Sequence, residues 1–468
     1  MTNTLFLRWG WLLLSACLFG LLGYTIARTQ FSGLIGLYFL LFWGYNLRVR
    51  PLLEATVPLA LHPQPDRFLF GSALLFRLLL IGALPALSDD YARFIWDGRL
   101  LLSGVNPFRY LPSELMAGGA GPTIPIDASL YALLNSPNYF TVYPPVNQAI
   151  FALAAWASPN SLLGSVVLMR SLIILAEIGT IGLMVKLLIH YKKDPNLALL
   201  YALNPLVILE LTGNVHFEGM MIGFVLLAIW LWVRPTPTPR SAASRMGLSA
   251  GAFALGVCTK LIPLMLLPLA ITQLGWRRGM LYSGLVGGLV ALLFIPFFDL
   301  DMVQHMFMSI DLYFRKFEFN ASLYYLIRAA GYWFYDYNWL SSIGGWLSLL
   351  TTGGLLLIAF NRLGRRVPVA VRALWMLTLY FLMATTVHPW YITSLVAAAV
   401  FTATDTARPF RYPLLWSGLI WVSYAAYQYS PVYEKPVLLL VEYVPVLALL
   451  IFEIKRNRDE VDPADVCR

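Results

Sequence analysis

Charge is what this sequence has little of. Asp, Glu, Lys and Arg make up 12% of its 468 residues, against roughly a quarter in a soluble domain. With 59% hydrophobic residues and a mean hydropathy of +0.69, this excludes an ordinary water-soluble globular protein. Cysteine is nearly absent. Cys17, Cys258 and Cys467 are scattered, which leaves no disulfide framework and no thiolate metal spacing. The apolar stretches are continuous rather than alternating, so a closed barrel is excluded and helices remain. No internal repeat stands out, and no convincing small-residue cleavage site follows the first apolar run, Trp9 to Ala27.

What is there is a succession of apolar runs, beginning with 8–27, 31–47 and 67–87 and ending with 412–428 and 435–454. The expected fold class is all-α, a polytopic membrane protein of about 12–14 transmembrane helices, fourteen by a generous reading. The stretch 144–158 is too short to cross and is expected as a juxtamembrane or re-entrant helix. The formal charge of +9 is spread over short connections. These include Arg48 with Arg50 and Arg67, Lys192 with Lys193, Arg277 with Arg278, Arg408 with Arg411, and the tail Lys455, Arg456 and Arg458. All fall on one side, which the positive-inside rule makes cytoplasmic, with both termini there. Charge dispersed along a membrane edge is no nucleic-acid surface, so no nucleic-acid partner is expected. Membrane lipids are the surrounding partner. The opposite face holds the long loops 88–161 and 299–340, the turn 213–218 and the turn at His388, all rich in acids and aromatics.

Within that face, residues 88–110 carry the densest chemistry, with Asp89, Asp90 and Asp97 beside Arg93, Arg99 and Arg109. Charge at a membrane border is costly without a function. An acid pair in a partly desolvated cleft can hold one raised pKa and act as a general base, although Ser88 and Asp89 are equally good helix caps. Tyr143-Pro144-Pro145 reads as a helix start. His216 and Glu218 close another span end, with no second histidine nearby to complete a metal site. A divalent metal is therefore unsupported and no cofactor is called for. Lys260 lies between cytoplasmic Arg245 and Arg277, which forces a hairpin with Lys260 at its extracytoplasmic tip or inside the membrane, where a lysine needs an anionic partner such as phosphate. Arg315 and Lys316, with Glu318 and Asn320 beyond, break the charge rule on the acidic face, and paired cations stabilise a leaving phosphate. Asn320-Ala321-Ser322 matches a glycosylation acceptor triplet, a common chance pattern. Arg170 and Glu177 share a helix face and can pair or face a cavity, and His388 ends a further span. Gathered on one side, these groups compose a site for a lipid-borne anion and a polar group.

The segment Asp90-Tyr91, Phe94, Asp97, Gly104, Asn106-Pro107-Phe108 and Tyr143-Pro144-Pro145 resembles the first outer loop of GT-C glycosyltransferases. Its pattern is most like that of mannosyltransferases acting on glycosylphosphatidylinositol precursors and their bacterial relatives. Asn204-Pro205, His216-Phe217, Lys260, Pro263 and His388-Pro389-Trp390-Tyr391 resemble later motifs of the superfamily, so the likeness runs from 85 to 395. It implies a GT-C-type catalytic core over 67–395, additional helices over 1–66, and C-terminal helices with a cytoplasmic tail over 396–468. It also implies inverting transfer of a sugar, mannose by the resemblance, from a polyprenyl-phosphate donor to a lipid- or glycan-borne hydroxyl on the extracytoplasmic face. The setting would be the periplasmic side of a bacterial inner membrane. The catalytic base falls on Asp90 or, since Ser88-Asp89-Asp90 replaces the family's usual Asp-x-Asp, on Asp89. Lys260, Arg315, Lys316 and Arg170 are candidates for the donor phosphate. Asp97, Arg93, Tyr143, His216, Glu218, Asn320 and His388 are candidates for sugar or acceptor. A transporter or flippase of lipid-linked sugars and a non-catalytic polysaccharide-assembly subunit are the alternative readings.

Overall fold

The computed structural model describes residues 2–54, 64–118, 128–234, 239–315, 317–335, 340–360, 367–404 and 408–459. Those residues are overwhelmingly helical, and their one β feature is an isolated parallel bridge between Phe319 and Thr386. The protein is an all-α polytopic membrane protein. Four helices are individually long and apolar enough to cross a bilayer: Leu5–Tyr24, Leu162–His190, Trp276–Phe297 and Pro436–Arg456. A fifth candidate is Pro195–Ala202 continued by Val207–Gly213 across a 62° bend. Asn204-Pro205 makes that break, because proline removes a donor and clashes with the preceding turn. Asn204 compensates. Its Oδ1 accepts from Leu206 N at 3.0 Å while its Nδ2 donates to Ser417 Oγ at 2.9 Å.

Shorter apolar helices, among them Glu218–Val233, Ile262–Leu274 and Val369–Met383, lie where further crossings are expected. The run expected over 412–428 is an α-helix Tyr412–Leu419 that tightens into a 3₁₀ segment Ile420–Gln428. Broken backbone is tolerated at membrane depth only where protein surrounds it, and residues 420–426 are all buried. The expected 144–158 segment is the helix Pro145–Ala157, opened by proline at its first turn.

Lipid-facing surfaces are apolar, with Leu13, Leu175, Leu357 and Trp346 exposed. Polar groups turn inward instead. Arg77 donates to Glu177 at 2.8 Å, both side chains being inaccessible, and Tyr201 donates to the other Glu177 oxygen at 2.6 Å. Glu177 therefore pairs with Arg77 and not with Arg170, its neighbour on the helix face. A carboxylate in a dry interior needs this complete satisfaction. Glycine makes the close approach possible, since a Cβ at Gly219 would stand 2.0 Å from Glu177 Oε1.

Candidate active site

Asp90 opens the helix Asp90–Leu102, whose N-terminal backbone dipole favours a carboxylate there. Its Oδ1 accepts from Asn135 Nδ2 at 2.8 Å. Its Oδ2 faces His216 Nε2 at 3.8 Å, a charge contact too long for a hydrogen bond. The side chain keeps 21% of its surface exposed while His216 is buried. Burial alone would raise the Asp90 pKa. Facing His216, the Asn135 amide and the nearby His388 outweigh it and pull the value down to about 2. This overturns the expected raised pKa, because the partners favour the charged form more than burial penalises it. Asp89 has a different environment. It caps the same helix without a side-chain bond and pairs with Arg28 at 2.6 Å near the surface, where Arg28 also lies 5.1 Å from the Tyr427 ring centre.

His216 sits in the turn between the bent Val207–Gly213 segment and the helix Glu218–Val233. Val215 before it adopts φ +61°, a left-handed conformation that a β-branched residue rarely takes and that marks strain held by its surroundings. The His216 ring stacks on Trp390 at 3.8 Å, and the other neighbour of Trp390 is His388, stacked at 4.4 Å. Phe319 continues the column at 5.1 Å from His388. Burial pushes the His388 pKa down to about 3, with Lys260 and His216 adding to the depression and Asp90 opposing it, so the imidazole is neutral at neutral pH.

The same turn presents Glu218 at the first position of its helix. Lys260, between the helix ending at Thr259 and the turn beginning at Ile262, pairs with Glu218 and lies 4.3 Å from the Tyr391 ring centre. Glu218 is buried and Lys260 retains 29% exposure. One turn thus joins an acid–histidine pair on one side to a lysine–glutamate pair on the other. The aromatic segment 388–391 backs both.

Other expected site residues are placed elsewhere or have structural partners. Asp97 is fully buried, accepting from Arg93 Nε at 2.8 Å, Thr141 Oγ1 at 2.5 Å and Gln148 Nε2 at 3.1 Å. Arg93 also donates to the carbonyls of Ser136 and Tyr139, so this pair organises loop 135–143 beneath Asp90 and is not open to a sugar. Tyr143 packs edge-on against Phe94 and Phe151. Arg170 corrects the expectation of a phosphate ligand. It is fully buried and donates to the carbonyls of Thr212, Gly213 and Ile81 at 2.7–2.8 Å. Thr212 and Gly213 end the bent segment, where no helical donor is left for their carbonyls, and Ile81 lies just past the helix Arg67–Leu79. Asn320 is likewise buried. It donates to Glu442 at 3.1 Å, receives the Tyr443 hydroxyl on its carbonyl and takes φ +49°, so neither a sugar nor a glycosylation enzyme reaches its amide. Arg315 ends the helix Leu300–Arg315. Its side chain, and Lys316 altogether, lie outside the described residues.

Sequence reasoning missed Asn135, Arg28 and the carboxylate of Glu210, which accepts from Tyr424 at 2.7 Å and Asn214 at 3.0 Å next to His216. Each is too distant in sequence from Asp90 to signal its place. Among the described residues no three His, Cys, Asp or Glu side chains converge as a metal site.

The arrangement supplies an ionised carboxylate at a helix N-terminus, a protonatable imidazole behind it and a cation nearby. That set suits proton removal from a hydroxyl beside an anionic leaving group. No curated protein matches the chain. A family described as alpha-(1->6)-mannopyranosyltransferase, N-terminal domain, matches residues 18–275, more than half of the sequence and the part that carries Asp90, His216, Glu218 and Lys260. On that match the chain belongs to the alpha-(1->6)-mannopyranosyltransferase family.

Proposed function

We propose that this membrane mannosyltransferase moves mannose from a polyprenyl-phosphate donor to a lipid- or glycan-borne hydroxyl, at a GT-C-type site on the extracytoplasmic, periplasmic face. The observation that carries the reading is the ionised Asp90 carboxylate, partly exposed at a helix N-terminus, in one cluster with Lys260. Asp90 takes the proton from the acceptor hydroxyl as its oxygen attacks the sugar C1. The C1–O bond to phosphate breaks with its electron pair leaving on polyprenyl phosphate. Lys260, released from Glu218, stabilises that charge. A single displacement inverts C1, so the α-linked product in the family's description requires a β-linked donor. Against transport stands Glu177, an intramembrane acid of the kind a transport pathway uses. It is inaccessible and fully bonded to Arg77 and Tyr201.

The test is purified protein incubated with polyprenyl-phosphate mannose and a mannoside acceptor, reading polyprenyl phosphate released. Asp90→Asn is expected to lower the rate by about 10²–10⁴-fold, the range for a lost general base. Asp89→Asn, which loses only a surface ion pair, is expected to stay within about tenfold. Undiminished transfer by Asp90→Asn removes Asp90 as the base.

A further inference from the structure

His216 has one nitrogen committed and one uncommitted. Nδ1 lies 3.0 Å from the Glu210 backbone carbonyl. A carbonyl oxygen can only accept, so Nδ1 carries the hydrogen and Nε2 is left as the nitrogen that gains or loses a proton. The Glu210 carboxylate, 3.7 Å from the same Nδ1, reinforces that choice. Nε2 is buried and makes no hydrogen bond, yet it faces Asp90 Oδ2 at 3.8 Å. A buried nitrogen left without a partner carries an uncompensated desolvation cost. Here it is held in place three ways: the Trp390 stack, the Nδ1 bond and the left-handed Val215 backbone.

We infer that His216 is the positioning residue of Asp90 and the group to which Asp90 passes the proton it takes from the acceptor, an inference that rests on the transferase reading above. The acceptor oxygen forms its bond to C1 while the C1–O phosphate bond breaks, and the electron pair departs with polyprenyl phosphate. The proton moves from the hydroxyl to Asp90 and on to Nε2, leaving an imidazolium against an ionised carboxylate. It is later lost to water. Nε2 is the buried, unpartnered nitrogen beside the Asp90 carboxylate, 3.8 Å from Oδ2, and so is the acceptor within reach as the cleft closes on the substrate.

The charged and titratable groups around His216 are Asp90 from the Asp90–Leu102 helix, Glu210 from the bent segment, and His388 from the turn before Pro389. Beyond them stand Lys260 and Glu218.

Two substitutions separate the proposal from a packing role. His216→Asn keeps a donor for the Glu210 carbonyl and deletes Nε2, whereas His216→Gln places an amide near the Nε2 position that cannot take a proton. Both are expected to preserve the thermal midpoint in detergent. Both should lower kcat by about 10²-fold with donor KM changed by less than about threefold. If His216→Asn fails to accumulate, His216→Gln alone decides. Retention of kcat in the variant, or a loss that appears in donor KM instead of kcat, overturns the inference while leaving the transferase reading intact. Absence of polyprenyl-phosphate release by the unsubstituted protein instead overturns the transferase reading, and the inference with it.

Discussion

Asp89 and Asp90 are adjacent carboxylates with opposite circumstances, and the difference comes from residues far away in sequence. Arg28 holds one at the surface, while Asn135 and His216 hold the other in a cleft. The motif located the acids, but nothing local could rank them or give the sign of the pKa shift. His388 yields a residue-scale prediction. Its pKa is depressed from 6.5 to about 3, so between those values the unfolded chain binds a proton that the folded protein refuses. Stability therefore falls as pH drops through that window. His388→Phe keeps the stack between Phe319 and Trp390, loses no hydrogen bond at Nδ1, and removes the titration. Its thermal midpoint is expected to fall less than that of the unsubstituted protein between pH 7 and pH 4. Parallel curves for the two proteins would refute this role. Arg170 shows the converse failure of legibility. An arginine in an apolar run reads as a ligand for an anion, but three backbone carbonyls, two of them at a broken helix, use it instead.

Elements were most legible where proline or charge punctuates the sequence. Tyr143-Pro144-Pro145 opens a helix, and Lys260 sits at the tip of its hairpin. They were least legible where apolar runs hide breaks. Residues 195–213 and 412–428 have span-like composition but bend or tighten, because groups that satisfy their backbone, such as Arg170 at Thr212 and Gly213 and the Tyr38 hydroxyl at Ser417, belong to other elements. Gly98 was invisible as a determinant, yet a Cβ there would meet the Phe151 carbonyl at 2.2 Å, where the Asp90–Leu102 and Pro145–Ala157 helices cross. The crossing stacks Phe94 on Phe151 at 4.6 Å and brings Gln148 to Asp97. Gly98→Ala must push the helices apart. It is expected to cost about 1–3 kcal/mol, with transfer lost alongside, as a lowered thermal midpoint and reduced polyprenyl-phosphate release. Gly71→Ala, in a helix with nothing within 4 Å, is the control and should be neutral or stabilising by up to about 1 kcal/mol. Equal midpoints for both variants would show that the crossing is not tight.

At the scale of the whole molecule the charge distribution makes a claim about sidedness. By the positive-inside rule the basic connections belong to one face and the acid-rich loops to the other, and the proposed site for a lipid-borne donor needs Asp90 on the second. Arg109 and Lys192 sample the two faces. Arg109 is half exposed, and its 3.6 Å contact with Asp301 is a surface ion pair worth at most about 1 kcal/mol. Lys192 is exposed beyond the end of the Leu162–His190 helix. In a chain whose three cysteines are replaced, Arg109→Cys should react with a membrane-impermeant maleimide on intact cells and Lys192→Cys only after lysis. The opposite pattern would turn Asp90, His216 and Lys260 toward the cytoplasm together, because all three are joined through the turn 214–218. Sidedness and chemistry therefore stand on one measurement: a site that labels from outside has a lipid-linked donor as its natural sugar source, whereas a site that labels from inside would face the soluble nucleotide sugars of the cytoplasm.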